Sequence, residues 1–166
     1  MKMNKILGLG LIIILCLSCL VGCKKNVEPI LIEFETCISE SWDRVKVAVE
    51  NCDLTVLEKE RNNLINIQEE IEIENKNYKE EDIEYKTLES LSNILLYRIE
   101  ALNLVEEILR NPLGAYLNPT LTTQLETCAD GLNKDNNMYM KYKEELNIKT
   151  NIEIFNKESE LNISDL

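Results

Sequence analysis

The chain has 166 residues, of which 30 are acidic and 18 basic, and its net charge at pH 7 is −12. A surface this acidic repels nucleic acid, because phosphate binding requires clustered lysine and arginine side chains. The sequence contains no histidine and only five glycines. It therefore lacks the commonest general base and zinc ligand, and it has too few glycines for a phosphate-binding loop.

The first part of the chain combines a short basic start, Lys2 and Lys5, with an uncharged, mostly apolar run over residues 6–22. A transmembrane helix needs about 20 apolar residues, and this run is shorter. The small-x-small cleavage site of an ordinary secretory signal does not follow the run. The apolar run ends instead in the sequence Leu20-Val21-Gly22-Cys23.

These residues resemble the signal peptide of bacterial lipoproteins, which ends in an aliphatic residue, two small or aliphatic residues and a cysteine. The resemblance implies that the Cys23 thiol receives a diacylglyceryl group and that a peptidase cuts the chain just before Cys23. Two acyl chains are sufficient for stable anchoring, whereas one chain binds a membrane only marginally. The resemblance thus implies a membrane-anchored protein on the extracytoplasmic side of a bacterium. It covers residues 1–23 only, and we identify no family for the rest of the chain.

The chain accordingly divides into a signal peptide at 1–22, a lipidated tether at 23–28, a helical domain at 29–147 and a tail at 148–166. The tail either adds a short docked helix or frays. Removal of the signal takes Lys2 and Lys5 with it, so 16 basic and 30 acidic residues remain and the net charge becomes −14. Glycine and proline are scarce, and leucine, isoleucine, glutamate and lysine are abundant, which is typical of helical proteins.

The first two helices are predicted from apolar residues that recur at steps of three and four. The first extends from Pro29 to about Asn51, where Asn51-Cys52-Asp53 interrupts it. Thr55-Val56-Leu57-Glu58 then matches a capping box at the start of the second helix. The two apolar stripes are Leu31, Phe34, Ile38, Trp42, Val45, Val49 and Cys52, and Leu57, Leu64, Ile67 and Ile71.

A turn is predicted between Glu74 and Asp82, where the apolar pattern thins. The third helix then runs from Asp82 to Arg110 and is the most apolar part of the mature chain. Its stripe is so wide that we expect the helix to be contacted on more than one side. The stripe consists of Leu88, Leu91, Leu95, Ile99, Leu102, Val105 and Leu109, broadened by Ile94, Leu96, Leu104 and Ile108.

Residues 111–119 are nearly uncharged and are predicted to be non-helical, since Asn111-Pro112 ends the third helix. Leu113, Tyr116 and Leu117 within them either fold back over the end of the helices or form an exposed apolar recognition surface. Asn118 and Pro119 predict the N-cap and first residue of the last helix. Its stripe is Leu121, Leu125, Cys128, Leu132, Asp135, Tyr139, Tyr142 and Leu146.

The predicted fold is all-α, with two helical hairpins forming an up-down-up-down four-helix bundle. An elongated alternative exists, because residues 57–85 and 88–109 carry apolar seams that nearly join. Residues 55–110 would then form one helix of about 84 Å. We favour the bundle, because a rod would bury little at its ends.

Cys37, Cys52 and Cys128 are the cysteines of the helical domain. An odd number in an oxidising compartment leaves at least one thiol without a partner in the same chain. Cys37 and Cys52 share the first helix at too great a distance to pair. Cys128 either pairs with one of them, or all three are small buried apolar residues.

The sequence predicts no catalytic residue, no cofactor and no metal site. Its carboxylates cluster as Glu69-Glu70-Glu72-Glu74 and Glu80-Glu81-Asp82-Glu84, whose side chains would point in several directions into water. We therefore expect a non-enzymatic module that is anchored to a membrane and binds an unidentified protein. The alternative is a carrier of a small ligand or metal inside the bundle. A polar interior or a buried carboxylate pair would favour the carrier, and a fully apolar interior would favour the interaction module.

Overall fold

The computed structural model describes residues 26–149, and these form an all-helical domain. The lipidation motif at Leu20, Val21, Gly22 and Cys23 lies outside the described residues, as does the tail from residue 150 onward. The five helices are α1 (Glu28–Glu50), α2 (Leu54–Asn75), α3 (Ile83–Arg110), α4 (Pro112–Tyr116) and α5 (Pro119–Glu145).

The junction of α1 and α2 differs from the prediction in how it is capped. The Asp53 carboxylate accepts hydrogen bonds from the backbone N–H groups of Thr55 and Val56, both at 3.1 Å. The predicted capping box with Thr55 as N-cap is therefore wrong, because Asp53 already satisfies the first N–H groups of α2. Cys52 has a φ of 53°, the left-handed conformation that reverses the chain between the two helices.

The segment between α2 and α3 is a turn, as predicted. The backbone N–H groups of Asn77 and Tyr78 donate to the carbonyls of Glu74 and Asn75, at 3.0 and 3.1 Å. These are three-residue spans, so the four-residue bonding of the helix has ended. Helix α2 then packs along α3. The alternative of one continuous helix over residues 55–110 is wrong.

Helix α3 occupies the centre of the domain, because it packs against both α2 and α5. The Arg98 guanidinium of α3 also lies 4.4 Å from the centre of the Trp42 ring in α1. The prediction that α3 is contacted on more than one side is confirmed. Only Leu96 among the broadening residues is exposed, at 48%. The fully buried apolar residues of α3 are Leu88, Leu91, Ile94, Leu95, Leu102 and Val105.

The apolar interior forms two clusters. The main cluster contains residues from α1, α2, α3 and α5, and it includes Val27 before α1 and Ile148 after α5. The second cluster consists of Leu104 of α3 with Leu121, Leu125 and Cys128 of α5, and Ala115 of α4 packs against it. Helix α4 is therefore supported by α3 and α5.

Helices α3 and α5 approach each other closely at Gly131. A β-carbon at this position would lie 2.3 Å from the Tyr97 ring, well inside van der Waals contact. Glycine costs roughly 1 kcal/mol relative to alanine within a helix. The Tyr97 ring occupies the space that a side chain would need, which explains why a glycine stands at position 131.

Candidate functional site

The most exposed apolar side chains of the described chain lie together on and just after α4. Leu113, Tyr116 and Leu117 are 81%, 89% and 79% exposed. We call these three residues the α4 surface. The expectation that they fold back over the end of the helices is wrong, and the alternative, an exposed apolar surface, describes their position.

The local sequence explains why α4 forms although residues 111–119 were predicted to be non-helical. The Asn111 side chain accepts a hydrogen bond from the Gly114 N–H at 3.1 Å, and Pro112 takes a first-turn position where its missing N–H is not needed. Asn118 then caps α5 through the Thr120 N–H, also at 3.1 Å, as predicted. Two caps seven residues apart leave room for a single turn of helix, in which Ala115 packs against the second cluster while Leu113 and Tyr116 stay exposed.

The chain segment that carries the α4 surface is uncharged. Residues 111–125 contain no acidic or basic side chain, in a chain that has 48 of them among 166 residues. Contiguous exposed apolar residues rimmed by polar ones are typical of protein interaction sites. Tyr116 adds a large, rigid ring with a polar hydroxyl, and such residues are enriched in interfaces.

The interior contains charged side chains that the sequence did not lead us to expect. Glu35 of α1 is 1% exposed, and one of its oxygens, Oε1, accepts from the Tyr139 hydroxyl at 2.7 Å and from the Lys143 ammonium. Lys143 is itself only 3% exposed. Burial, and then the charge of Glu35 and its hydrogen bond, raise the pKa of Tyr139 well above its usual value, so the hydroxyl stays protonated. We call these three residues the Glu35 cluster.

A second buried carboxylate, Glu60 of α2, is paired with α1. Its two oxygens accept from the Ser41 hydroxyl and the Arg44 guanidinium, both at 2.9 Å. Burial acts to raise the pKa of Glu60, but the two hydrogen bonds and the positive charge of Arg44 outweigh it and lower the pKa. Glu60 is therefore a carboxylate at neutral pH, and it joins α1 to α2.

A third buried carboxylate, Glu106 of α3, contacts two arginines. Its Oε2 lies 3.0 Å from Arg61 of α2 and 3.7 Å from Arg110 one turn further along α3. The three buried carboxylates named here are thus each held by cations rather than by one another. Within residues 26–149, no group of three or more histidine, cysteine, aspartate or glutamate side chains is arranged to bind a metal ion.

All three cysteines of the helical domain are free thiols in the structure. Cys37 and Cys52 are exposed and Cys128 is buried. The expectation that all three are buried apolar residues is therefore correct only for Cys128. Burial, and then the charges of Glu33 and Glu40, raise the pKa of Cys37, while burial and then Glu100 raise that of Cys128. Both thiols are consequently weaker nucleophiles than an ordinary cysteine at neutral pH.

No protein-family model, curated protein or solved structure matches this chain. None of the helices formed by residues 26–149 is both long enough and apolar enough to cross a lipid bilayer.

Proposed function

We propose that this protein is a lipid-anchored, extracytoplasmic bacterial lipoprotein that works without catalysis, by binding a protein partner through its α4 surface. The observation that carries the proposal is the position of Leu113, Tyr116 and Leu117. They are nearly fully exposed side by side, although burial of each leucine would gain about 1.5–3 kcal/mol. A partner that covers them would recover that free energy.

In the helix arrangement that we propose, the α4 surface lies far from the membrane anchor. We propose that α1, α2, α3 and α5 form an up-down-up-down four-helix bundle. Support comes from the packing of α1 on α2, α2 on α3 and α3 on α5, and from the contact of Glu35 with the last turns of α5. The anchor before α1 and the α4 surface after α3 then lie at opposite ends. The 28 residues of α3 span about 42 Å, so the α4 surface is held well away from the membrane.

A small-ligand carrier is the second candidate function. It is favoured by the polar interior, and in particular by the Oε2 atom of Glu35, which is buried without a hydrogen-bond partner among the described residues. The other oxygen of Glu35 already accepts from Lys143 and Tyr139, however, so the carboxylate is neutralised by the protein itself. This arrangement joins α1 to α5 and gives a ligand little to bind. We therefore prefer the interaction module.

The anchor is tested by substitution of its cysteine. Cys23→Ser should abolish incorporation of an acyl-chain probe and release the protein from the membrane fraction, because the thioether to the diacylglyceryl group can no longer form. Cys37→Ser is the matched control and should leave labelling unchanged. Undiminished labelling of the Cys23→Ser protein would refute the lipidation motif.

The α4 surface is tested by crosslinking in native membranes. A photoreactive phenylalanine analogue in place of Tyr116 should give a discrete adduct of defined mass, and Leu113→Ser in the same chain should reduce its yield about tenfold, the effect of losing roughly 1.4 kcal/mol of binding. The same analogue in place of Ile73, which is 63% exposed on α2, is the matched control. Equal adducts at both positions, or no adduct at position 116, would contradict the proposal.

A further inference from the structure

A polar cleft lies along the seam of α1 and α2. Its volume is about 330 Å³, within the range of about 300–1,000 Å³ that is usual for small-molecule sites. We call it the Arg44 cleft. Its lining consists of Arg44 of α1 with Lys59, Glu60, Asn62, Asn63 and Asn66 of α2. Each of these side chains is charged or carries an amide, so the cleft suits a polar ligand.

The guanidinium of Arg44 is held in place by a buried group. Its Nε donates to Oε1 of Glu60 at 2.9 Å, and Oε2 of Glu60 accepts from the Ser41 hydroxyl, also at 2.9 Å. The side chain of Glu60 is 3% exposed, whereas that of Arg44 is 48% exposed. Within residues 26–149, the two Nη groups of Arg44 donate to no other group. They form a free edge of the guanidinium fork, whose geometry matches the two oxygens of a carboxylate.

Three asparagines of α2 supply uncharged donors and acceptors to the cleft. Asn62, Asn63 and Asn66 follow Lys59 at steps of three and four, so they share its face of the helix. Asparagine is unfavourable inside a helix, because its amide competes for backbone groups in non-helical conformations. None of the three lies at an end of α2, and within the described chain none of their amides hydrogen-bonds another group. The amides are therefore available to a ligand.

The charge of the cleft favours an anion. Arg44 and Lys59 contribute two positive charges and Glu60 one negative charge, so the lining carries +1 in a chain whose net charge is −12. Both oxygens of Glu60 already accept from Ser41 and Arg44, which leaves Glu60 little capacity to bind a cation. Glu40 also acts electrostatically on Arg44 but does not line the cleft. A ligand with one negative charge neutralises the lining.

We propose that the Arg44 cleft binds a small organic carboxylate that also carries hydroxyl groups, such as an acidic sugar or a hydroxy acid. The carboxylate accepts from the Nη groups of Arg44 and from the Lys59 ammonium. The hydroxyl groups pair with the amides of Asn63 and Asn66, since both kinds of group donate and accept. Charge-assisted hydrogen bonds are about twice as strong as neutral ones, so the carboxylate supplies most of the affinity and the hydroxyl groups select among carboxylates. The cleft is separate from the α4 surface, and the inference does not depend on the proposed function.

Nuclear magnetic resonance of the isotope-labelled full-length chain in detergent micelles tests the site. The probes are the sodium salts of D-glucuronate, D-galacturonate and D-gluconate, which combine one carboxylate with several hydroxyl groups. At least one should shift the side-chain signals of Arg44, Asn63 and Asn66 along a saturable curve. At equal ionic strength, methyl β-D-glucoside, which lacks the carboxylate, should bind at least tenfold more weakly. Acetate, which lacks the hydroxyl groups, and inorganic phosphate should also bind more weakly.

Variants of the lining then locate the contact. Arg44→Lys keeps a cation beside Glu60 but loses the fork, so the affinity for the best probe should fall about tenfold. Lys59→Met should lower it about threefold. Lys46→Met is the matched control, because Lys46 also lies near Arg44 on α1 but pairs with Asp43 at 2.7 Å and does not line the cleft. It should bind as the parent does. Circular dichroism checks that each variant is folded.

The selection of hydroxyl groups has a test of its own. Asn66→Ala removes one exposed amide, so it should reduce the preference for the best probe over acetate about threefold while leaving the affinity for acetate unchanged.

Four outcomes would overturn the proposal. They are the absence of a saturable shift with all three probes, equal affinity for methyl β-D-glucoside, affinity for acetate or phosphate as high as for the best probe, and equal weakening by Lys46→Met and Lys59→Met. The last would show that the ligand responds only to the overall charge of the chain.

Discussion

Lys143→Met should destabilise the domain by about 3–5 kcal/mol, because it leaves the Glu35 carboxylate buried without its cation. Glu35 and Lys143 are 1% and 3% exposed, so water cannot replace the lost partner. The Tyr139 hydroxyl would remain as a donor to Glu35, but its neutral O–H group supplies no opposite charge and therefore offsets only part of the cost of burying the carboxylate. Urea denaturation followed by circular dichroism measures the loss.

Two controls separate this effect from a general intolerance of substitution in α5. Lys141→Met removes a lysine two positions away, which is 70% exposed and lies 3.9 Å from Glu145, and should cost less than about 0.5 kcal/mol. The triple variant Glu35→Leu, Tyr139→Phe, Lys143→Met removes the whole cluster and should recover most of the lost stability, because apolar groups of similar volume can replace a buried ion pair. A Lys143→Met protein as stable as the parent would mean that the Glu35 cluster contributes nothing to folding.

Leu95→Ala and Leu102→Ala should each cost about 2–5 kcal/mol, because both side chains are fully buried in α3 and the neighbouring helices can close the resulting cavities only in part. Leu96→Ala, at a position 48% exposed, is the matched control and should cost less than about 1 kcal/mol. Thermal and urea unfolding of the three variants gives the comparison. Similar losses at positions 95 and 96 would contradict the central place of α3.

The helices could be predicted from the sequence because their ends carry strong local signals. Pro29 lies in the first turn of α1, Asn111 and Pro112 end α3, and Asn118 with Pro119 starts α5, each through a restricted backbone angle or a side-chain cap. The turn near Asn77 was visible as a gap in the apolar pattern. The α4 helix was missed because a single turn between two caps is too short to show a periodicity.

Among the buried charged residues, the sequence analysis placed Asp135 in an apolar stripe, and Asp135 is buried. Glu35, Glu60, Arg98 and Lys143 were missed because charged residues were assigned to the solvated faces of the helices. Their spacing nevertheless contained the signal. Glu35 stands four residues after Leu31 and three before Ile38, so it occupies a step of the apolar stripe. Glu60, Arg98 and Lys143 stand at equivalent steps between the buried or partly buried residues of their own helices. A charged residue within a stripe therefore needs a partner on another helix, and sequence alone does not identify that partner.

The second cluster has a consequence for how this protein can change over evolutionary time. Leu104, Leu121, Leu125 and Cys128 support α4 without contribution from α1 or α2. Substitutions at sites that share no contacts have nearly additive effects on stability. The cluster and the segment it carries can thus diverge while the main cluster keeps the domain folded. If the α4 surface binds a partner as we propose, selection can act on recognition and on folding at separate positions.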